Sequence, residues 1–245
     1  MKKYLLAIKT MLILVGSTRA QQTFLKTVSV DFVKTVAVWP LMKEIEPEWF
    51  EESKDRMPKE LKSFFNFSTD GVKSLYKKTK DAEIPRNMWF QPFADNNNVY
   101  NDYSTGTTVT QKPVFEETFL VTDSLLPIKW KLTSDTRVIA GFECRKAVGI
   151  LYDTVAVFAF YTDEIMVTGG PEGIQGLPGM ILGLGIPRLH TTWFATQVSA
   201  SINSKELKPA TKGKKVTLAE MKEQLLTVMK RWDSYGQKLV LAFVI

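Results

Sequence analysis

The residue types that most often carry chemistry are scarce in this chain of 245 residues. His190 is its only histidine and Cys144 its only cysteine, so an intramolecular disulfide is excluded. A single histidine also excludes H-E-x-x-H zinc sites, two-histidine iron sites and multi-histidine zinc sites. Cys144 alternates with apolar neighbours in a predicted strand, where a buried thiol is usually inert. We therefore predict no metal site and no Cys–His catalytic pair.

Other catalytic patterns are equally weak. The chain has no G-x-S-x-G elbow, P-loop or G-x-G-x-x-G loop, so no cofactor is predicted. Ser74 and Lys77 fit the S-x-x-K spacing, but they lie in a strand-like segment instead of a helix. The adjacent acids at 116–117 and 163–164 point to opposite faces if they lie in strands, so neither pair converges on one proton. No catalytic residue is predicted, and a hydrolase that uses carboxylate or serine chemistry is kept as the alternative.

Aromatic side chains offer a different chemistry, the binding of apolar molecules. Large rings on predicted strands could line an apolar cavity inside a curved sheet. The same residues could equally be ordinary core, and both interpretations stay open. The candidate lining residues are Trp130, Phe158, Phe160 and Trp193.

Half of the chain's glycine lies in one apolar run, GGPEGIQGLPGMILGLGIP, at 169–187. It holds seven of the 14 glycines and three of the 11 prolines. Proline fixes φ near −65°, and the glycines on either side permit turns that are closed to other residues. The run therefore predicts a tight turn that delivers an apolar strand into a sheet, and Gly183 and Gly185 would allow a bend or the close approach of another backbone. Whether the turn is structural or a partner-binding surface stays open. Its motif comprises Gly176, Leu177, Pro178, Gly179, Met180 and Ile181.

The first twenty residues have the layout of a secretory signal peptide. A basic start leads into a short apolar stretch that ends in small residues at Ala20. We predict cleavage after Ala20 and a periplasmic or secreted protein. Four of the 32 basic residues and none of the 26 acids lie in this segment, so the formal net charge without it is +2. Such a small charge does not favour nucleic-acid binding, and no later segment is long and apolar enough to span a membrane.

The remaining patterns predict a mainly β (α+β) protein. Val28, Val30 and Phe32 alternate with polar residues, which is typical of a half-buried strand. A helical insert is predicted at about 41–65. From about 67 to 202, short segments rich in Val, Thr and aromatics, among them "NMWFQPF" and "VFEETFLVT", predict the strands of a curved antiparallel sheet, because helices of βαβ length are missing between them.

Two further segments lie between and after these strands. "ADNNNVYND", at 94–102, is predicted to be a loop, and the lysine-rich "LKPATKGKK" a solvated linker with an anion site as the weaker alternative. A C-terminal helix is predicted at about 217–232, packed against the sheet. It starts with a capping box at Thr217 and Glu220. Its apolar face comprises Met221, Leu225, Met229 and Trp232.

The segment YTDEIMVTGGPEGIQGLPGMILGL, from Tyr161 to Leu184, resembles the signature of the GLPGLI family, with Met180 in place of a leucine. Members of this family are exported proteins of uncertain function. The segment from Phe119 to Leu151, with its Pro-x-x-Trp element ending at Trp130, is similar to the strands that precede the family's motif. The resemblance implies a LolA-like open half-barrel, a curved antiparallel sheet that wraps around helices and can hold an apolar guest.

Together these observations predict a signal peptide at 1–20 and a single GLPGLI-type β-rich domain at 21–245. The expected function is that of a non-enzymatic cell-envelope protein. Its expected partner is an apolar small molecule or lipid, or another envelope protein, and neither nucleic acid nor a membrane span is expected.

Overall fold

The computed structural model describes residues 25–81 and 94–245, with the backbone alone for 233–235. The strands of this part are β1 Val28–Ala37, β2 Glu60–Thr69, β3 Lys73–Lys80, β4 Asn98–Asp102, β5 Thr107–Val114, β6 Glu117–Ser124, β7 Trp130–Ile139, β8 Phe142–Leu151, β9 Val155–Thr162, β10 Met180–Ile186, β11 Thr191–Ser199 and β12 Lys214–Val216. The helices are α1 Val38–Ile45, α2 Pro47–Ser53, α3 Leu218–Met229 and α4 Asp233–Val244, with short 3₁₀ turns between some elements. The predicted signal peptide and the predicted strand "NMWFQPF" up to residue 93 lie outside the described residues.

The described strands form one open sheet in the order β12-β6-β5-β4-β3-β2-β1-β11-β10-β9-β8-β7. The predicted fold class, mainly β with a largely antiparallel sheet and helices, is confirmed. One edge differs from the prediction, because β12 pairs with β6 in parallel. The lysine-rich segment is therefore an edge strand in part, with Lys214 and Lys215 exposed to solvent, as is common for edge strands that must not pair further.

The sheet wraps around α4. Val244 and Phe243 of this helix pack in one apolar cluster with Val114 of β5 and Phe119 of β6. The backbone oxygen of Val244 also accepts a hydrogen bond from Tyr152, in the β8–β9 turn, at 3.2 Å. Because β6 and the β8–β9 turn lie near opposite ends of the strand order, the sheet must curve around the helix to reach it from both sides. We call this enclosed side of the sheet the interior face.

Alternation decides which side chains reach the interior face. In β1 the residues Val28, Val30 and Phe32 are buried while Ser29 and Asp31 are more exposed, which confirms the predicted pattern. The strand β10 is buried along its whole length on both faces. A continuous apolar run fits that position, since both faces are covered.

The helical insert ends earlier than predicted. The helices and a 3₁₀ turn occupy 38–56, and 60–65 belong to β2. The strand buries Leu61, Ser63, Phe65 and Phe67 at every second position. Because Ser63 is polar and yet occupies a buried position, the alternation of apolar and polar residues in this strand is not evident from the sequence.

Two other boundaries also differ. The segment "VFEETFLVT" was predicted as one strand, but it contains the β5–β6 turn, where Phe115 has φ +52°. No glycine marks this turn, so the sequence gives no signal for it. In the predicted loop at 94–102, only 94–97 are irregular and 98–102 form β4.

The predicted C-terminal helix corresponds to α3 and a following 3₁₀ turn. The capping box between Thr217 and Glu220 is present, and Met221, Leu225 and Met229 are buried as predicted. Trp232 is 43% exposed and does not share that face. The helix α4 was not predicted. None of the helices in the described part of the chain is long and apolar enough to cross a membrane.

Candidate functional site

The four predicted lining residues do not share one cavity. Trp193 is buried on the interior face and lines a small cavity of about 40 Å³. Phe158 and Phe160 point to the opposite face, since they alternate with the buried Val157 and Ala159. There their rings contact each other at a centroid distance of 6.1 Å. Because side chains alternate along β9, Phe158 and Phe160 lie on the opposite face of the sheet from Trp193, although the sequence predicted one shared cavity.

Cys144 and His190, the two residues considered as a catalytic pair, also lie in different parts of the fold. Cys144 lies buried in β8, and burial raises the pKa of its thiol to about 12. His190 lies in the turn between β10 and β11, where its Nε2 is 2.7 Å from Glu44 Oε2. In the described residues no group of three or more His, Cys, Asp or Glu side chains could hold a metal ion.

The other catalytic patterns do not converge either. Ser74 is 1% exposed and its hydroxyl lies 3.0 Å from that of Tyr103. Lys77 forms an ion pair with Glu206, with both side chains partly exposed. Asp163 pairs with Arg145 at the surface. None of these contacts aligns a nucleophile with a base.

The predicted turn around Pro178 is present. Gly176 has φ +98° and Gly179 φ +135°, which confirms the expectation that at least one glycine has positive φ. A side chain on Gly179 would overlap the carbonyl oxygen of Thr162. Met180 and Ile181 are completely buried at the start of β10. Close packing of this kind favours a structural role for most of the motif.

In β10, the glycines make room for rings instead of backbone. A Cβ atom on Gly185 would overlap the ring of Phe158, and one on Gly183 would lie 2.9 Å from the ring of Phe194. The predicted close approach of another backbone is therefore wrong, because the groups nearest to these two glycines are side chains, chiefly aromatic rings of β9 and β11.

Trp130, the last residue of the Pro-x-x-Trp element, forms a hydrogen bond to the glycine-rich run. Its indole Nε1 donates to the carbonyl oxygen of Gln175 at 3.0 Å. In return, Gln175 Nε2 donates to the carbonyl oxygen of Leu126 at 3.2 Å. The loop before β7 and the glycine-rich run are thus joined side by side.

The glycine-rich run also contains a buried carboxylate, that of Glu172, on the interior face. Glu172 lies in a 3₁₀ turn with φ +53°, a conformation that costs a non-glycine residue roughly 1–2 kcal/mol. Gly169 and Gly173, on either side, also have positive φ. A Cβ atom on Gly169 would overlap the ring of Phe67 of β2. The run therefore lies tightly against the sheet, and the Glu172 side chain is 2% exposed.

Glu172 belongs to a group of buried polar residues that we call the interior cluster. It comprises Lys34, Ser63, Lys78, Asp95, Asn97, Lys112 and Glu172. Lys34 Nζ donates to the carbonyl oxygen of Ala94 at 2.9 Å. It also lies 3.8 Å from one oxygen each of Asp95 and Glu172.

The other oxygens of the two acids have their own partners. Asp95 Oδ2 accepts from Ser63 Oγ at 2.8 Å and lies 2.6 Å from Lys78 Nζ. Glu172 Oε2 accepts from Asn97 Nδ2 at 2.9 Å. The charge of Glu172 also acts on Tyr76, whose pKa is raised well above its usual value, mainly by burial and next by this carboxylate.

Among the three lysines of the cluster, Lys112 is the exception, whereas Asp95 Oδ1, Asn97 Oδ1 and Glu172 Oε1 are buried without a hydrogen bond in the described part of the chain. It lies on β5, is 3% exposed, and its Nζ has no hydrogen-bond acceptor among the described residues. Burial lowers the pKa of Lys112 to about 8; the negative charge of Glu172 opposes this shift and the positive charge of Lys34 adds to it. At neutral pH this ammonium group therefore stays mostly protonated.

Glu172 lies between two cavities of the interior. The smaller, of about 40 Å³, is lined by Lys34, Trp193 and residues of α4. The larger, of about 150 Å³, is lined by apolar side chains from β4, β6, the loop before β7 and α4, and by polar residues that include Lys112, Asp123 and Asn101. Its apolar lining includes Val99, Val121, Leu126, Ile174 and Val244.

The alternation along β1 and β5 indicates that two lysines of the interior cluster are buried. Lys34 has the same parity along β1 as Phe32 and Val36, so the alternation places a charge on the buried face. Lys112 has the same parity as Thr110 and Val114 in β5. Asp95 lies within the irregular residues 94–97, and no pattern predicts its burial.

Comparisons with known proteins bear on the glycine-rich run and on the fold. Residues 149–183 match a family model described as "Protein of unknown function (Porph_ging)". That family is the GLPGLI family, so the resemblance is confirmed for the segment from Gly149 to Gly183. None of the curated proteins compared with the chain matches it.

Among solved structures, PNGF-II is similar. Its structures in space groups C2 and P21 each match 80% of this chain with a TM-score of 0.51 and 16% sequence identity. The match covers 32% of the PNGF-II chain, so this protein spans about a third of that one. At this level of identity, the likeness shows the β-rich fold alone.

Proposed function

We propose that the protein is a non-enzymatic binding protein of the cell envelope that holds a small apolar molecule in the larger interior cavity. The observation that carries this proposal is the cavity itself, about 150 Å³ between the sheet and α4 with a largely apolar lining. An apolar cavity of this volume accommodates a molecule of about the size of benzene.

The position of the cavity supports the proposal. Tyr152, Gly173 and Ile174 contribute one wall and lie within the segment that matches the GLPGLI family. The loop at 124–127 contributes another wall, held by the bond between Gln175 and Leu126. A partner-binding role for the glycine-rich turn has less support, because Leu177, Gly179 and Met180 are buried. The envelope location rests on the first twenty residues, as argued from the sequence.

A cavity-filling variant tests the proposal. Hexan-1-ol should raise the melting temperature of the wild type in a concentration-dependent way, because a ligand that binds only the folded state stabilises it. Leu126→Trp should fold and lose this response, since the indole would occupy the cavity. Leu132→Trp is the matched control, because Leu132 is 54% exposed on β7.

The result that would contradict the proposal is a folded Leu126→Trp protein whose melting temperature still responds to hexan-1-ol as the wild type does. Native mass spectrometry of the purified protein gives an independent check. We expect a co-purified small molecule in the wild type that is absent from Leu126→Trp.

A further inference from the structure

The polar end of the larger cavity contains a buried cation. Lys112 lies on β5 with the parity of Thr110 and Val114, which places its side chain on the interior face. It lines the cavity, and its Nζ has no acceptor in the described part of the chain. A buried ammonium group without a partner is unfavourable, because burial removes its hydration without replacing it.

The charges around Lys112 are already matched to one another. Lys34 and Lys78 lie within 4 Å of Asp95, and Lys34 also lies within 4 Å of Glu172. Lys34 and Lys78 offset these two buried acids, and Lys78 also pairs with Asp81, whose side chain is 87% exposed. Among the buried charges of the cluster, Lys112 is therefore the surplus cation. Asp123, the other acid of the cavity lining, accepts from the backbone nitrogens of Ser124 and Leu218 at 2.8 and 3.3 Å.

We infer that the ligand of this cavity carries a single carboxylate, which pairs with Lys112 while an apolar body of about six carbons lies against Val99, Val121 and Ile174. The inference rests on the proposed function and adds the chemical class of the ligand. A carboxylate supplies the acceptor that Lys112 lacks, and charge-assisted hydrogen bonds of this kind are the stronger ones. Thr110 lines the same cavity, and its hydroxyl can donate to the second oxygen, whereas the Thr108 hydroxyl donates to the carbonyl oxygen of Tyr100 at 3.3 Å.

Calorimetric titration of the full chain with hexanoate and with hexan-1-ol tests this inference. At about pH 6.5 we expect hexanoate to bind at least about tenfold more tightly than hexan-1-ol, and Lys112→Met to lose at least that factor for hexanoate alone. Lys215→Met, in the exposed edge strand β12, should bind both probes as the wild type does.

A pH series needs no substitution and covers the case in which Lys112→Met does not fold. Between about pH 6.5 and 9.5 the wild type should lose at least about fivefold in hexanoate affinity, because the pKa of Lys112 is about 8. Its affinity for hexan-1-ol should stay constant. The other charged or titratable groups that face this region are Glu172, Asp123, Lys34 and Tyr152. Burial raises the pKa of Tyr152 to about 12, so it does not titrate in this range.

The two proposals fail in different ways. If hexan-1-ol binds as tightly as hexanoate, or if hexanoate affinity is unchanged at high pH or in folded Lys112→Met, the carboxylate inference is wrong and the apolar cavity remains. If neither probe binds the wild type, the proposed function and the inference are both wrong.

Discussion

At the scale of single residues, Lys112 couples the stability of the fold to pH. Its pKa is lowered to about 8 from an ordinary value of 10.5, so the folded state releases this proton before the unfolded state does. Between these two values the unfolded state binds more protons, and stability therefore rises with pH, by up to about 1.4 kcal/mol per pH unit. Below about pH 8 both states are protonated, and the buried charge destabilises the fold.

Replacing Lys112 with methionine should remove this dependence. We expect Lys112→Met to be more stable than the wild type near neutral pH, because an apolar side chain of similar length replaces an unpaired buried ammonium group. Urea denaturation at about pH 7 and about pH 9.5 measures the effect, and the stability difference between variant and wild type should shrink at the higher pH. Lys131→Met, exposed on β7, should show no such trend. A variant that is less stable at both pH values would mean that Lys112 has a stabilising partner.

At the scale of elements, the turn before β10 distinguishes two glycines. Gly176→Ala should cost roughly 1–2 kcal/mol, the penalty for a side chain at positive φ, because the nearest atom to a new Cβ is 3.5 Å away. Gly179→Ala should cost more, about 3 kcal/mol or above, since the Cβ would also overlap the Thr162 carbonyl oxygen. Urea denaturation of both variants gives the ranking. Equal costs would show that φ alone, and not the overlap, determines the requirement for glycine.

Another element-scale contact joins α1, α4 and the β10–β11 turn. Glu44 Oε2 lies 2.6 Å from Lys238 Nζ and 2.7 Å from His190 Nε2. The hydrogen bond from Lys238, and next that from His190, lower the pKa of Glu44. A carboxylate with a lowered pKa in the folded state stabilises the fold above its unfolded pKa, and this contribution is lost as the pH falls through the folded pKa.

Glu44→Gln should therefore destabilise the protein slightly at about pH 6, by less than about 1 kcal/mol, because the pair is partly exposed. The difference from wild type should shrink between about pH 6 and about pH 3, as Glu44 begins to take up a proton. Melting temperatures at the two pH values test this, with Glu48→Gln in α2 as the control. A difference that is undiminished at low pH would indicate that the loss comes from packing and not from charge.

Strands whose buried residues are apolar at every second position could be predicted from the sequence. A strand in which a polar residue fills a buried position could not. The strands β1, β8, β9 and β11 follow from alternation or from β-branched composition. The start of β2 could not be predicted, because Ser63 fills a buried position of that strand and donates a hydrogen bond to Asp95. The interior cluster depends on which residues of β1, β5 and the glycine-rich run meet in space. Sequence gives parity within a strand, but strand order in the sheet arises from contacts distant in sequence.

At the scale of the whole molecule, the open sheet and α4 depend on each other. An isolated curved sheet would expose Val114 and Phe119 to water, and α4 would expose Leu239 and Phe243; together they bury these side chains in one cluster. Because α4 reaches both ends of the strand order, the volume that it leaves unfilled becomes the cavity near Lys112. Val244 of this helix lines that cavity, so a shift of α4 would change its volume.

The last prediction concerns the whole chain and its export. A basic start, a short apolar stretch and small residues before Gln21 predict cleavage after Ala20. The first described strand begins at Val28, so every described strand and helix lies downstream of the cut and is kept by the processed chain. N-terminal sequencing of protein from the envelope fraction should begin at Gln21, and an Ala20→Arg variant should accumulate uncut. Protein in that fraction that retains Met1 would overturn cleavage.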